Sequence, residues 1–135
     1  MPVTSDEELR ELLALDRIAV VGCSSTPGKA ANEVPNHLLE HGYEVIPVNP
    51  FVEEIFGRIA YDSLADVAGR VDLVDVFRPS DEVAGIVDEA LARDDVRGVW
   101  LQLGITDSEA GDRVEAAGRA FVQDRCIEVE HRRLC

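Results

Sequence analysis

The sequence predicts an α/β domain in which helices cover both faces of a mainly parallel, doubly wound sheet. Short apolar runs typical of buried strands occur at residues 18–21, 44–48, 71–77, 99–103 and 120–122. Segments with helical spacing of apolar residues lie between these runs. Alternating strands and helices favour parallel strands joined by right-handed crossovers, so we expect a three-layer architecture.

The helices are predicted from their start and stop signals. Thr4 or Ser5, followed three residues later by glutamate, forms a capping box that predicts a leading helix over 6–15 within the segment 1–16. A second helix is expected over about 32–41, with Pro35 in its first turn and a stop at the glycine that follows. Ser80 is expected to cap a third helix, and Thr106 to open a fourth that runs to about residue 118.

Two segments have weaker patterns. The pattern of residues 51–68 predicts only a short extended segment near 58–60 and one turn at 63–67. Residues 124–135 are interpreted as a C-terminal tail packed on the domain. With 135 residues and no linker or repeat, the whole chain, 1–135, is expected to form one domain.

Charge and cysteine content disfavour nucleic-acid-binding, membrane-binding and disulfide-stabilised proteins. The net charge of −14 disfavours binding to nucleic acid or to an anionic membrane, because both need a basic surface. Acidic residues spread along the chain, with one lysine among its 13 basic residues, resemble a surface adapted to concentrated salt. The three cysteines form no metal or disulfide pattern, so we expect free thiols. The absence of a signal-like start or an 18-residue apolar run predicts a cytosolic protein.

The most informative motif is the loop after the first predicted strand. It contains the chain's single lysine, Lys29, among glycines and hydroxyl side chains, and it leads into a helix. Free backbone amides at a helix N-terminus bind phosphate, so the loop is interpreted as an anion cradle. The alternative is an ordinary strand-to-helix loop with one solvated lysine. Ligands of such sheets bind beyond the carboxyl ends of the strands, which makes the other strand ends candidate site positions.

The motif does not match a site for NAD. The close glycine spacing of a dinucleotide fingerprint is missing, and the second strand ends in Val48, Asn49 and Pro50 instead of a carboxylate. A phosphate on the ribose would be repelled by a carboxylate there. The neutral end therefore suits coenzyme A or NADP better than NAD.

Several segments together resemble a known family. They include Ile-Pro-Val-Asn-Pro at 46–50, Val-Asp-Val-Phe-Arg-Pro at 74–79, Trp-Leu-Gln-Leu-Gly at 100–104 and Asp-Arg-Cys-Ile at 124–127, with Glu-His at 130–131. In this order, over residues 18–134, they resemble the small stand-alone CoA-binding proteins, which are similar to the CoA-binding domain of succinyl-CoA synthetase α subunits. The resemblance implies a Rossmann-like fold that holds the nucleotide end of CoA.

The resemblance also implies which residues would contact the ligand. The loop would hold phosphate oxygens, the second strand end would flank the adenosine, and the third would form the opposite wall. The pantetheine would pass the fourth strand end. The candidate positions are Gly22, Cys23, Ser24, Ser25, Thr26, Pro27, Gly28, Lys29, Val48, Asn49, Pro50, Phe77, Arg78, Pro79, Gln102 and Gly104.

The functional prediction is non-catalytic binding of coenzyme A or acyl-CoA through its nucleotide moiety. No Ser-His-Asp pattern, perturbed carboxylate pair or nucleophile elbow stands out in the sequence. The alternatives are an NADP-binding redox protein, or a regulatory subunit with a vestigial pocket whose interface would include Trp100. An open sheet of this size is compatible with a homodimer.

Smaller features leave their own alternatives open. Arg78 suits either a ligand contact or an ion pair with Asp81 or Glu82. His37 and His41, at i and i+4, could ligate a metal, but the sequence shows no third ligand, so we expect a solvated helix face and no metal site. Cys23 or Cys126 could be reactive, with the helix N-terminus favouring a Cys23 thiolate.

Overall fold

The computed structural model describes all residues, Met1–Cys135, as alternating strands and helices. The strands are β1 Arg17–Val21, β2 Glu44–Val48, β3 Glu54–Ile55, β4 Arg58–Ile59, β5 Leu73–Val76, β6 Gly98–Leu101 and β7 Ala120–Val122. The helices are α1 Asp6–Leu13, α2 Ala30–Glu40, α3 Val83–Leu91, α4 Ser108–Ala116 and α5 Ile127–Leu134.

Five strands form one parallel sheet in the order β2-β1-β5-β6-β7. The chain runs outward from β1 to β2 and then crosses to β5 on the other side of β1. The carboxyl ends of β1 and β5 therefore border the point where the strand order reverses, which is where ligands bind in such sheets. The predicted doubly wound, mainly parallel α/β fold is confirmed.

The sheet separates two cores, one on each face. Alternate residues of each strand point to opposite faces, so Val74 and Val76 of β5 belong to one core and Leu73 to the other. Helices α3 and α4 cover the first face, which we call the α3/α4 face. Helices α1, α2 and α5 cover the second, the α2/α5 face.

Some elements follow the sequence prediction closely. Strands β2 and β7 have the predicted bounds. The capping box of α1 is confirmed, since the Ser5 hydroxyl accepts the amide of Glu8 at 3.3 Å. The loosely patterned segment 51–68 forms the antiparallel pair β3–β4 and a 3₁₀ turn, Leu64–Asp66.

Three expectations were wrong in detail. Ser80 lies in a 3₁₀ turn before α3, and its hydroxyl accepts the amide of Thr106 instead of capping α3. Pro35 lies beyond the first turn of α2, which begins at Ala30. Thr106 does not open α4, because the N-cap is Asp107, whose side chain accepts the amide of Ala110 at 3.0 Å. Within the segment 124–135, residues 127–134 form α5, which packs against α1 and α2. None of the helices is both long and apolar enough to cross a lipid bilayer.

Candidate functional site

Gly22 ends β1 and turns the chain into the candidate phosphate loop, residues 22–29. Its φ of +88° is a conformation that favours glycine. A Cβ at this position would lie 2.8 Å from Cδ of Arg78 and 3.2 Å from the carbonyl carbon of Phe77. The loop after β1 and the end of β5 can approach this closely because the residue is glycine.

The loop leaves a set of backbone donors without protein partners. The amide of Ser24 donates to Ala31 O at 2.9 Å, and the amide of Thr26 donates to the Ser24 hydroxyl at 3.0 Å. Five amides of this segment donate to no protein group, and these belong to Cys23, Ser25, Gly28, Ala30 and Ala31. The last four belong to residues that are exposed or partly exposed. Together with the positive end of α2, they give this part of the surface the character of an anion site.

Pro35 explains how the loop is held to the helix. A proline inside a helix donates no hydrogen bond to the carbonyl four residues earlier, which here belongs to Ala31. That carbonyl accepts the amide of Ser24 instead, and the side-chain amide of Asn32 donates to Ser24 O at 2.9 Å. The proline thus frees an acceptor that fixes the loop against the start of α2.

Lys29 occupies the N-cap position of α2. Its backbone is extended, its side chain makes no capping bond, and the residue is exposed. It forms no salt bridge, although acidic residues outnumber basic ones by 27 to 13. The ammonium group is therefore free to meet an anion at the helix end.

The end of β2 is tied to the loop by Asn49. Its side-chain amide donates to Cys23 O at 2.9 Å, and its side-chain oxygen accepts the amide of Phe51 at 2.8 Å. Both polar atoms are therefore used to position backbone. Val48 is buried, and Pro50 is exposed beside it.

The end of β5 supplies Phe77, Arg78 and Pro79. Arg78 pairs with Glu82 through two hydrogen bonds, of 3.1 and 2.7 Å, so of its two predicted partners the ion pair is the one observed. This contact raises the pKa of Arg78 and lowers the pKa of Glu82, mainly through the side-chain hydrogen bonds. Both side chains are about half exposed, so solvent screens the pair strongly.

At the end of β6, Gln102 contacts the start of α5 and Gly104 contacts Asp124. Gln102 is buried, and its side-chain oxygen accepts the amide of Ile127 at 3.1 Å, which satisfies a free donor at the start of α5. Its side-chain nitrogen donates to no protein group. Gly104 is exposed, has a φ of +84°, and donates its amide to Asp124 at 2.7 Å.

A cleft of about 650 Å³ opens next to this strand end. Leu103 and Val129, which are strongly exposed apolar residues, line it together with Cys126. Around the crossover point, by contrast, residues 25–29, Pro50, Arg78 and Pro79 are exposed. The loop and the ends of β2 and β5 thus form an open shelf rather than a closed pocket.

Sequence reasoning missed Asp75, which lies beneath this shelf. Asp75 is fully buried on the α2/α5 face, between Val20 and Trp100 of the adjacent strands, and neither carboxyl oxygen has a hydrogen-bond partner. Burial raises its pKa well above the usual value for aspartate. A lone aspartate in a valine-rich strand was the available signal.

Burial settles the state of Cys23. The thiol is fully buried, and mainly for this reason its pKa is raised to about 12. The helix-end argument for a Cys23 thiolate is therefore wrong, because desolvation outweighs the helix. The predicted free thiols are confirmed for all three cysteines, of which Cys126 is partly exposed.

The structure brings most predicted positions to one edge of the sheet. The loop 22–29, the β2 end and the β5 end lie around the crossover point, with Gln102 and Gly104 one strand further along. Trp100 lies apart from them as a buried core residue, and its indole N–H donates to Arg125 O at 2.8 Å. It can therefore offer no interface surface.

Comparison with known proteins assigns the family. Residues 16–132 match the family model described as a CoA binding domain. The uncharacterized protein YneT of Bacillus subtilis is 38% identical over 128 residues, which cover 94% of each chain. A structure from Thermus thermophilus, cell-free ID.343, superposes with a TM-score of 0.91 at 43% identity and covers 98% of this chain and 100% of that one.

A much larger protein contains a similar region. The ADP-forming acetate–CoA ligase II of Archaeoglobus fulgidus is 31% identical over 124 residues, which cover 90% of this chain and 17% of the ligase. The chain thus belongs to the CoA-binding domain family.

Proposed function

We propose that this protein binds coenzyme A or an acyl-CoA through its nucleotide moiety and does not transform it. The observation that carries the proposal is the set of unpartnered amides of Ser25, Gly28, Ala30 and Ala31 beside Lys29. These donors lie at the crossover point of the sheet, in a chain of the CoA-binding domain family. An anionic nucleotide supplies the acceptors that they lack.

The residues present fit a phosphate group. The amides and the start of α2 provide donors and positive potential, and Lys29 adds a mobile charge with three donors. The hydroxyls of Ser25 and Thr26 are exposed next to them. Because the whole chain is acidic, local donors and not long-range attraction would hold the anion.

The adenosine and the ribose would lie between two strand ends. Val48, Asn49 and Pro50 would flank one side, and Phe77, Arg78 and Pro79 the other. Asn49 fixes the loop instead of offering free polar atoms. Arg78 is available to a phosphate because its exposed pair with Glu82 is weak.

The pantetheine would pass Gln102 and Gly104 toward the cleft that contains Cys126. The cleft is open and combines Leu103 and Val129 with polar residues, so it offers no closed pocket for one acyl group. We therefore expect CoA and short acyl-CoAs to bind alike. The partial exposure of Cys126 makes it the cysteine that a CoA thiol would meet.

The protonation states favour a binder over an enzyme. The strongly perturbed acid, Asp75, is fully buried, and the Cys23 thiol keeps its proton because of its high pKa. Neither group can reach a substrate on the shelf. The alternatives remain an NADP-binding redox protein, which the neutral end of β2 also suits, and a regulatory subunit that binds neither nucleotide.

Calorimetry with CoA, dephospho-CoA and NADP tests the proposal. We expect CoA to bind, and Lys29→Ala to weaken it about 10- to 100-fold, because a hydrogen bond to a charged group contributes about 1.5–3 kcal/mol. Arg97→Ala is a matched control, since Arg97 is exposed just before β6 at the opposite edge of the sheet and makes no side-chain hydrogen bond. Binding of NADP without any CoA species would support the redox alternative, and binding of neither would support the regulatory one.

A further inference from the structure

The three histidines of the chain converge on one place, between α2 and α5. His37 and His41 come from α2 and His131 from α5, and one ring nitrogen of each lies within 4.8 Å of the others. The ring centroids are 4.1 Å apart for His37 and His41, and 5.0 Å apart for each of the other two pairs. The third imidazole, which the sequence does not reveal, comes from a residue 90 positions away from His41.

From this arrangement we propose that His37, His41 and His131 form a binding site for a divalent first-row transition metal, with Zn²⁺ as its representative. Three imidazoles with an open fourth position are a common zinc donor set, and the same nitrogens suit Ni²⁺, Co²⁺ and Cu²⁺. None of the three histidines belongs to the candidate phosphate loop, although Pro27 of that loop lines the adjoining cleft. The proposal therefore does not depend on the proposed function.

The distances fit coordination after a small adjustment. Zn–N bonds of about 2.0–2.1 Å place two nitrogens of a tetrahedral site roughly 3.3 Å apart. Here Nε2 of His37 and Nδ1 of His131 are 2.9 Å apart, and the full set spans up to 4.8 Å. Closing the widest spacing requires movements of up to about 1.5 Å. Since His41 is exposed and His131 is partly exposed, both rings can make this adjustment by side-chain rotation.

A hydrogen bond orients one of the rings for metal binding, and a carboxylate lies near a second ring. Nδ1 of His41 lies 2.7 Å from the carbonyl of His37, which can only accept, so this nitrogen carries the proton and leaves Nε2 with a free lone pair. Nδ1 of His37 faces a carboxylate oxygen of Glu128 at 4.0 Å, which is beyond hydrogen-bond distance. Nε2 of His37 is hydrogen-bonded to Nδ1 of His131 at 2.9 Å, a contact that a bound metal would replace. A carbonyl and a carboxylate behind the imidazoles are the usual second contacts of metal-binding histidines.

The charges around the rings support the same role. Glu33, Glu40, Glu128 and Arg132 line the adjoining polar cleft of about 400 Å³. Three carboxylates against one guanidinium give this entrance a net negative charge that attracts a cation.

Titration of metal-free protein with Zn²⁺ tests the proposal. After EDTA treatment and dialysis, calorimetry should show one equivalent of Zn²⁺ per chain, and the melting temperature should rise because the metal binds only the folded arrangement. His41→Gln and His131→Gln should each weaken binding by more than roughly 100-fold, beyond the loss expected from a residue behind a ligand. His41 is exposed, so its variant should keep the fold.

Two further variants distinguish specific coordination by the three histidines from nonspecific metal binding to surface groups. Glu128→Gln, a positioning residue, should weaken Zn²⁺ about tenfold. Cys135→Ser should leave the affinity unchanged, since the thiol near His131 is not one of the proposed ligands. The proposal fails if the wild type shows no stoichiometric binding up to millimolar Zn²⁺. It fails equally if both histidine variants bind as the wild type does, or if Cys135→Ser alone abolishes binding.

Discussion

The two faces of the sheet are built from the same five strands but differ in chemistry. The α3/α4 face buries 19 apolar residues in one cluster. The α2/α5 face has an apolar cluster of 16 residues, and Asp75, His37, Gln102 and Glu130 are buried on this side of the molecule. One face therefore serves stability, and the other combines stability with polar groups that lie near both proposed ligand sites.

The polar groups buried on the α2/α5 face cost folding free energy unless they have hydrogen-bond partners. Gln102 and Glu130 have partners, since Gln102 accepts from Ile127 and Glu130 contacts Arg125 and Arg133. Asp75 has none, although an unsatisfied buried polar group costs about 1–3 kcal/mol. The α2/α5 face thus retains a destabilising residue, Asp75, beneath the phosphate loop. The α3/α4 face contains no buried polar side chain without a hydrogen-bond partner.

The largest expected effect lies on the α3/α4 face. Phe121→Ala should lower the free energy of unfolding by about 3–5 kcal/mol, because it empties a fully buried site against α4. Phe51→Ala makes the same chemical change at a residue that is 88% exposed, and should change stability by less than about 0.5 kcal/mol. Urea denaturation measures both. Similar losses for the two variants would contradict the assignment of the core.

Gly22→Ala tests the close approach at the shelf. The positive φ and the contact with Arg78 predict a loss of about 1–2 kcal/mol in stability together with weaker CoA binding. The control is Gly85→Ala in α3, where a Cβ meets nothing within 4 Å and helix propensity favours alanine. Thermal melts and calorimetry on both variants separate the effects. If Gly22→Ala is as stable as the wild type, the backbone at residue 22 tolerates a side chain without strain.

Asp75→Asn tests the buried acid on the α2/α5 face. Because the folded-state pKa is raised, the folded protein holds this proton more tightly than the unfolded chain, and wild-type stability should fall as pH rises from the ordinary aspartate pKa through the folded-state value. The asparagine variant lacks this decline and should be more stable than wild type at pH 8 by about 1 kcal/mol or more.

Urea denaturation at pH 5 and pH 8 measures the effect of Asp75→Asn. Asp94→Asn, at an exposed residue, is the control and should match the wild type at both pH values. If Asp75→Asn is less stable than the wild type at pH 8, the carboxylate has a stabilising partner and its description as unsatisfied is wrong.

The smallest effect concerns Arg78. Glu82→Gln removes its ion-pair partner, and since exposed i,i+4 pairs contribute little, the melting temperature should not change. Because Arg78 is then free to contact the ligand, the variant should bind CoA roughly twofold more tightly than the wild type does. Calorimetry detects this change. An unchanged affinity would place Arg78 outside the contact surface.

Local patterns predicted the parts of the fold that local physics controls. Strands β2 and β7 follow from short apolar runs with turn signals, and α1 from a capping box. Helix α5 was missed because charged residues dominate it, with Ile127 as its fully buried apolar residue. Contacts from distant parts of the chain stabilise it, namely Gln102 at its start and Asp6 bonded to Arg133.

The sequence by itself determined the fold class, the family and the loop that carries Lys29, because strand periodicity and glycine-rich turns are encoded over a few residues. Only the tertiary structure decided which donors of that loop are free, how Pro35 and Asn49 hold it, and that Asp75 lies unsatisfied beneath it. It also brought His131 to His37 and His41. These outcomes depend on burial and on contacts between residues far apart in the chain, which no local pattern specifies.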